Sequence, residues 1–302
     1  MSQTTDQRQW SGKSRGGALG TWFFVVTLKY LGVRAAYVLL AFVAPYFVLF
    51  APKARKAVYN YNREILHYAR LKAVAMVVKH FYVFGQTIID KIALKHGISK
   101  NYSFTYSGYE EFINLLNSGS GVMIIGAHIG SWEVGAPFFD NYGKKMNIVM
   151  LDAEYERIKH VIEKGTCKND FKIIPLGTDG LDAILKIKTA LDNGQYVCLQ
   201  GDRFMSTDNN TRLTFMGREA LFPKGLFQIA SKLNVPVAFY YATRQKGMHY
   251  NFSFQIAKID AQRPQQRFEQ ITNQYVQSLE DVVTANPQQW FNFYDFWQIE
   301  NN

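Results

Sequence analysis

Cysteine and acidic residues are both scarce in this chain. Its 302 residues include only Cys167 and Cys198, too few and too isolated for a disulfide framework or a zinc site. Cys198 lies in an apolar strand pattern and is expected to be a buried thiol of a reducing compartment. Asp and Glu total 24 against 34 Lys and Arg, so the net charge is +10. This excess favours nucleic acid, anionic lipid or an acidic carrier protein as partner, or serves solubility alone.

Several recognition motifs are also missing. The sequence has no Walker-type phosphate loop, no glycine-rich dinucleotide fingerprint and no cluster of His and Cys, so we expect no metal and no cofactor. Nucleic-acid binding is disfavoured because the basic residues gather near the N-terminal apolar segment and match no reader motif. Aromatic residues, in contrast, make up 15% of the chain, and aromatic side chains beside basic ones are typical of membrane interfaces.

An apolar segment follows the polar tail formed by residues 1–17. Its second half, residues 35–51, contains no charged side chain. These residues would form a helix of about 26 Å, just short of the roughly 30 Å hydrocarbon core of a bilayer, and Pro45 should kink it. Basic residues follow at once, as on a cytoplasmic flank. An inserted helix, a monotopic interfacial helix and a buried soluble helix all fit; we expect residues 18–52 to be a membrane-associated helical segment.

The remainder, residues 53–302, is predicted to be a single α/β domain. Residues 54–96 have a helical pattern that stops at Gly97. Beyond it, strands alternate with amphipathic helices, which predicts a mainly parallel or mixed sheet flanked by helices. Strands are predicted at 121–127, 147–151, 171–176, 196–200 and 236–242, with 250–257 as an edge strand and 206–212 as a surface loop. Helices are predicted at 131–142, 153–164, 180–192, 220–233 and 267–285.

One strand ends in a histidine. The apolar run 122–127 leads into His128, and Glu133 follows five positions later. Active sites of α/β proteins commonly lie at the carboxyl ends of strands, and a nearby carboxylate can fix the imidazole tautomer. The pair therefore suits a general base acting on a hydroxyl. The alternative is a surface histidine with an unrelated glutamate.

A second strand ends in charge. Strand 196–200 is followed by Asp202 and Arg203, which would form one polar site with His128 and Glu133 if both strands end at the same edge. A local salt bridge is the competing explanation. Further on, Phe222-Pro223-Lys224-Gly225 opens a helix, and a helix N-terminus preceded by lysine and glycine could receive a phosphate or carboxylate, although many helices begin in this way.

In their order along the chain, these features resemble the bacterial lipid A late acyltransferases of the lysophospholipid acyltransferase superfamily. The resemblance spans residues 22–297 and implies a membrane-bound enzyme. Such enzymes move a fatty acyl chain from acyl carrier protein, or acyl coenzyme A, to a lipid hydroxyl on the cytoplasmic side of the bacterial inner membrane. Besides the N-terminal helix, it rests on Gly126-Ala127-His128, Trp132-Glu133-Val134-Gly135-Ala136, Gly201-Asp202, Phe215-Met216-Gly217, Pro223 with Gly225, Val235-Pro236-Val237 and Asn286-Pro287-Gln288-Gln289-Trp290-Phe291.

The resemblance also implies roles for the residues. His128 would be the general base and Glu133 would hold its imidazole, with no covalent acyl-enzyme. Backbone amides near Gly130 and Ser131, or Arg203, would stabilise the oxyanion. The side chains expected to bind substrate are Asp202, Arg203, Arg157 and Lys224. An acyl-thioester hydrolase with the same dyad and a non-catalytic lipid-binding protein remain the alternatives.

Two departures from the family pattern concern the acceptor. The family often has an arginine just past the strand after the catalytic helix, where this chain has Met150-Leu151-Asp152, so Arg157 is the nearest replacement. The C-terminal signature usually leads into a basic cluster, but residues 291–297 contain no basic side chain. Both changes remove positive charge where a phosphorylated sugar would bind. Another glycolipid, an aminolipid or a polyene-type lipid head therefore stays open as the acceptor.

Overall fold

The computed structural model describes residues 18–135, 145–151, 171–176, 180–203 and 209–297. The predicted helix 153–164, and Arg157 with it, lies outside the described residues. The chain divides into two compact units: Met1–Asn101 together with Gln288–Asn302, and Tyr102–Pro287. The predicted domain boundary at residue 52 stays a prediction.

The described residues of the first unit form three α-helices, with a π-helical stretch, Tyr61–Ile65, between the second and third. Val26–Phe50, within the first helix, is long and apolar enough to cross a membrane by length and composition alone. Within this helix, the residue with a non-helical backbone is Gly32, at φ 80°. Pro45, where the sequence analysis expects a kink, also lies inside the helix. The three helices are α1 (Ala18–Phe50), α2 (Pro52–Asn60) and α3 (Arg70–Lys95).

Helices α1 and α3 pack side by side. The Tyr37 hydroxyl donates a hydrogen bond to Asp90, and the Tyr82 hydroxyl donates to the Tyr37 carbonyl at 3.3 Å. A Cβ on Gly85 would lie 2.4 Å from Leu40 Cδ1, so a larger residue there would require the Leu40 side chain to move. Nearer the other end, Val48, Val58 and Val77 form one apolar cluster. Because later residues of α1 meet earlier residues of α3, the two helices are antiparallel.

The C-terminal residues 288–297 complete the core of the first unit. Trp290 is buried and lies edge-on to the ring of Tyr61, with centroids 5.6 Å apart. His80 of α3 lies edge-on to Phe291 and Phe293, at 5.7 and 5.5 Å. The residues that resemble a C-terminal family signature therefore pack against helices.

A seven-stranded sheet of order β1-β9-β8-β2-β5-β3-β4 forms the second unit. Only β8 and β9 are antiparallel neighbours, which confirms the predicted mainly parallel α/β fold. Strands β6 and β7 form a separate hairpin. The strands are β1 (Ser103–Ser107), β2 (Val122–Gly126), β3 (Met146–Leu151), β4 (Phe171–Leu176), β5 (Tyr196–Gln200), β6 (Asn210–Phe215), β7 (Arg218–Pro223), β8 (Val237–Arg244) and β9 (His249–Ile256). The helices are α4 (Tyr109–Asn117), α5 (Gly180–Asp192), α6 (Lys224–Leu233) and α7 (Pro264–Ala285).

Several local predictions are wrong. Strand β9 is not at an edge, because β1, a short polar strand missed in the sequence, pairs with its outer side. The predicted helix 220–233 starts only at Lys224, because the alternating burial around Ala220 and Phe222 belongs to β7. The predicted loop 206–212 includes the start of β6. The described part of predicted helix 131–142 is a 3-10 helix, Trp132–Gly135.

The burial of His80 predicts that the first unit is sensitive to acid. Burial lowers the pKa of its imidazole from 6.5 to about 3, although the backbone of Trp290 opposes this change. Below pH 6.5 the unfolded chain therefore binds a proton that the folded chain excludes. As the pH decreases below 6.5, the free energy of unfolding should decrease by up to about 1.4 kcal/mol per pH unit, down to about pH 3.

His80→Phe keeps a ring between Phe291 and Phe293 and should flatten this pH dependence. Urea unfolding in detergent, followed by circular dichroism at several acidic pH values, measures the slope. His96→Gln is the control, because His96 is exposed and its loss should leave the wild-type slope. Equal slopes in wild type and His80→Phe would contradict the prediction.

Candidate active site

The register of two neighbouring strands brings the site together. Strands β2 and β5 are parallel, and Gly126 pairs with Gln200. The Gly201 amide continues the ladder by donating to the Gly126 carbonyl at 2.9 Å. His128 and Asp202 each lie two residues past the paired strand ends. The same register therefore carries both side chains to one edge of the sheet.

His128 and Asp202 are joined by two hydrogen bonds. The Asp202 carboxylate accepts one from the His128 ring at Nδ1, 2.7 Å away, and one from the His128 backbone amide at 2.9 Å. Asp202 is 2% exposed and the His128 side chain 22% exposed. A carboxylate can only accept, so Nδ1 carries a proton, and in the neutral ring Nε2 keeps its lone pair. This tautomer is the one that a general base requires.

The surroundings keep Asp202 ionised. Burial by itself raises the pKa of this carboxyl, but the charge of His128, its hydrogen bonds and the charge of Arg203 outweigh burial and lower the pKa to about 2. The group is therefore a carboxylate throughout the neutral range. A buried carboxylate is tolerated in a protein when it is paired and hydrogen-bonded in this way.

Glu133, the carboxylate expected to hold the imidazole, lies in the segment that follows His128. It lies half-buried on the 3-10 helix Trp132–Gly135, and its carboxylate accepts a hydrogen bond from the Ser131 hydroxyl at 3.5 Å. Burial raises the pKa of Tyr240, and the charges of Cys198 and Glu133 raise it further. Asp202 thus contacts Nδ1 of His128, the position where the sequence analysis expected Glu133. The substrate-binding role expected of Asp202 stays a prediction.

The loop after His128 is fixed to β8. Gly130, whose φ is 64°, forms an isolated β-bridge with Ala242. The Ser131 amide donates a hydrogen bond to the Ala242 carbonyl at 2.9 Å. The Ser131 amide, one of the expected oxyanion donors, is therefore engaged in the fold. Gly130 and Arg203 remain as candidates for that role.

Tyr275 of α7 packs against the residues at the carboxyl ends of β2 and β5. No feature of the sequence pattern identified it as part of the site. Its buried hydroxyl donates to the Gly126 carbonyl at 2.9 Å. A Cβ on Gly201 would lie 2.7 Å from the Tyr275 ring, so glycine is needed there. Phe227, in the first turn of α6, packs on the same ring with centroids 5.2 Å apart. These contacts place the start of α6, and with it Lys224, near the carboxyl end of β2.

The comparison with known families now decides what the chain is. The family model for bacterial lipid A biosynthesis acyltransferases matches residues 15–298. The chain belongs to this family. It is therefore an acyltransferase that acts on lipid A-like acceptors, with a lipid acceptor and an acyl donor as its substrates. No individual curated protein matches the chain.

In this lipid A biosynthesis acyltransferase, Cys198 lies on β5, the strand that leads to Asp202. Burial raises the pKa of its thiol to about 12. The thiolate is the nucleophilic form of cysteine, so this thiol is a poor nucleophile at neutral pH. Cys198 is therefore better understood as a packing residue than as an acyl carrier.

Gly130→Ala is expected to displace His128 in this acyltransferase. The new Cβ would lie 1.9 Å from the Ala242 carbonyl oxygen, so the loop must move. Misplacing a catalytic group by about 1 Å costs roughly 100-fold in rate, and we expect kcat to fall by about that factor. Steady-state transfer from an acyl thioester to lipid measures it.

Gly247→Ala is the matched control. Gly247 also has a left-handed φ, 80°, but no described atom lies within 4 Å of its added Cβ. This variant therefore carries the backbone strain, about 1–2 kcal/mol, without the clash. We expect it to retain wild-type kcat. Equal losses in both variants would show that strain alone, rather than loop displacement, lowers the rate.

Proposed function

We propose that this enzyme transfers a fatty acyl chain from acyl carrier protein to a hydroxyl of a lipid A-like acceptor, with His128 as general base. The observation that carries the proposal is the 2.7 Å contact between His128 Nδ1 and Asp202. Because Asp202 orients the ring and is buried and ionised, it presents Nε2 as the base. No covalent acyl-enzyme is needed.

The reaction proceeds in two steps. His128 Nε2 takes the proton from the acceptor hydroxyl while the hydroxyl oxygen forms a bond to the thioester carbonyl carbon. The carbonyl oxygen becomes an oxyanion; when it collapses, the C–S bond breaks and the imidazolium returns the proton to the departing sulfur. Proton transfer of this kind typically contributes 10²–10⁴-fold to the rate. Asp202 stabilises the imidazolium between the two steps.

The other charged residues take supporting roles. Glu133 adds a second negative charge near the imidazolium and holds the loop through Ser131. The Gly130 amide and Arg203 stabilise the oxyanion. Lys224, at the start of α6, and Arg157 bind anionic groups of the acceptor.

The charge of the protein supports the choice of donor and location. A net charge of +10 attracts both an acidic carrier protein and anionic lipid. Lys53, Arg55 and Lys56 follow α1, as the positive-inside rule expects for a cytoplasmic flank. We therefore place the enzyme on the bacterial inner membrane with its site on the cytoplasmic side. Acyl coenzyme A remains the alternative donor, and a direct competition between the two thioesters separates them.

His128→Ala should abolish acyl transfer because it removes the base. Glu133→Ala removes only the supporting carboxylate and should lower kcat by less than His128→Ala does. The assay uses a radiolabelled acyl thioester and acceptor lipid, with both lipid product and free fatty acid quantified. His249→Ala is the control: His249 contacts Ser103 on an exposed part of the sheet and should be dispensable. Circular dichroism checks folding.

The products also test the alternatives. Free fatty acid without acylated lipid would favour a hydrolase. Tight lipid binding without turnover of any donor would favour a lipid-binding protein. Near-wild-type transfer by His128→Ala would remove the proposed base.

Asp202→Asn should lower kcat by about 10²–10⁴-fold, because the neutral amide neither fixes the Nδ1–H tautomer nor stabilises the imidazolium. With the pKa of Asp202 lowered to about 2, the wild-type carboxylate stays charged above about pH 4. The loss should therefore be constant across the neutral range in kcat–pH profiles. Asp182→Asn, on an exposed ion pair with Lys186, should leave kcat unchanged. Wild-type turnover by Asp202→Asn would refute the role of Asp202.

A further inference from the structure

The apolar segment of α1 is tied to a helix that carries charge. Tyr37, near the middle of Val26–Phe50, donates its hydroxyl hydrogen bond to Asp90 of α3, and Asp90 is fully buried. If α1 crossed a bilayer with Tyr37 at mid-depth, Asp90 would be drawn there with it. Ionisable side chains in the centre of a bilayer are costly and rare. The contact therefore argues against α1 as a lone span.

The length of α1 points in the same direction. Its helix is broken at Gly32. The continuous part that remains, residues 33–50, is about 27 Å long and has Arg34 at its start. This falls short of the roughly 30 Å hydrocarbon core.

Helix α3 has its own exposed apolar stripe. Leu71, Val74 and Val78 are 88%, 55% and 37% exposed. Their spacing of three and four residues places them on one face of the helix. Ala73 and Val77, which lie off this stripe, are buried in the first unit. Aligned and exposed aliphatic side chains of this kind indicate a surface that binds a partner or a membrane.

The charges around this stripe identify what covers it. Residues 52–86 contain seven basic residues but one acid, Glu64, and so hold +6 of the net charge. Helix α1 of the same unit also exposes apolar side chains, among them Val38, Phe42 and Leu49. An apolar stripe with a cationic border is typical of a helix lying in an anionic membrane interface. The basic residues are Lys53, Arg55, Lys56, Arg63, Arg70, Lys72 and Lys79.

We infer that the antiparallel pair of α1 and α3 inserts together into one leaflet of an anionic bilayer, with Leu71, Val74 and Val78 of α3 in contact with lipid. The inference goes beyond the proposed reaction and rests only on the proposed membrane association. It makes the first unit a monotopic anchor with two lipid-facing helices.

A depth measurement on the full-length protein tests this arrangement. Cys167 and Cys198 are replaced by serine, and an environment-sensitive fluorophore is attached at Val74→Cys or, as control, at Lys258→Cys, an exposed residue after β9. The protein is bound to phosphatidylcholine vesicles containing phosphatidylglycerol, with nitroxides at a shallow or a deep acyl position. Because an interfacial helix lies near the headgroup–acyl boundary, we expect the shallow nitroxide to quench position 74 at least about threefold more than position 258, and more than the deep nitroxide does.

A binding measurement complements it. The triple variant Leu71→Gln, Val74→Gln, Val78→Gln should bind the same vesicles roughly tenfold more weakly, since it removes three lipid contacts. The matched control replaces Leu181, Ile184 and Leu185, exposed aliphatic residues of α5, by glutamine and should bind as wild type. Circular dichroism confirms the helix content of both variants.

The outcomes separate the inference from the function. Vesicle-bound protein whose position 74 is not quenched would overturn it while leaving membrane association intact. Stronger quenching by the deep nitroxide, or equal weakening by both triple variants, would also overturn it. Loss of acyl transfer in a variant that still binds vesicles would concern the chemistry alone.

Discussion

The pairing of β2 with β5 is the constraint on which the rest of the site depends. With Gly126 opposite Gln200, the residues two positions further on meet as His128 and Asp202. A slip of one residue would turn one side chain to the other face of the sheet and separate the pair. Tyr275 stabilises this register, because its hydroxyl donates a hydrogen bond to the Gly126 carbonyl.

Stability and proposed chemistry draw on the same contact. The buried Asp202 carboxylate is tolerable only because His128 and Arg203 compensate its charge and the His128 amide binds it. The same bonds orient the imidazole and, in the proposed mechanism, leave Nε2 to take the proton of the acceptor hydroxyl. Fixing the following loop on Ala242 removes one backbone donor, Ser131, from the possible oxyanion hole. The fold thus reduces the number of backbone amides that could stabilise the oxyanion, and it also holds the imidazole in place.

The first unit contains both the apolar helix α1 and the C-terminal residues 288–297. These C-terminal residues are rich in aromatic side chains, and Trp290, Phe291 and Phe293 pack against the helices. That segment therefore works as core. The positive charge lies instead on α2 and the first half of α3. An anchor made of two helices would bring this charge to anionic lipid headgroups.

Local periodicity was enough to predict strands 171–176 and 196–200, helix 180–192 and a histidine at a strand end, because burial of one face imposes a period on neighbouring residues. It could not choose the partner of His128. Glu133 is close in sequence, but Asp202, 74 residues away, makes the contact because β5 lies beside β2. Likewise β9 is interior only because β1 joins it. The sequence by itself determined the family and the elements with a clear period, whereas strand order, set by long-range packing that no local pattern encodes, decided which carboxylate contacts Nδ1 of the imidazole.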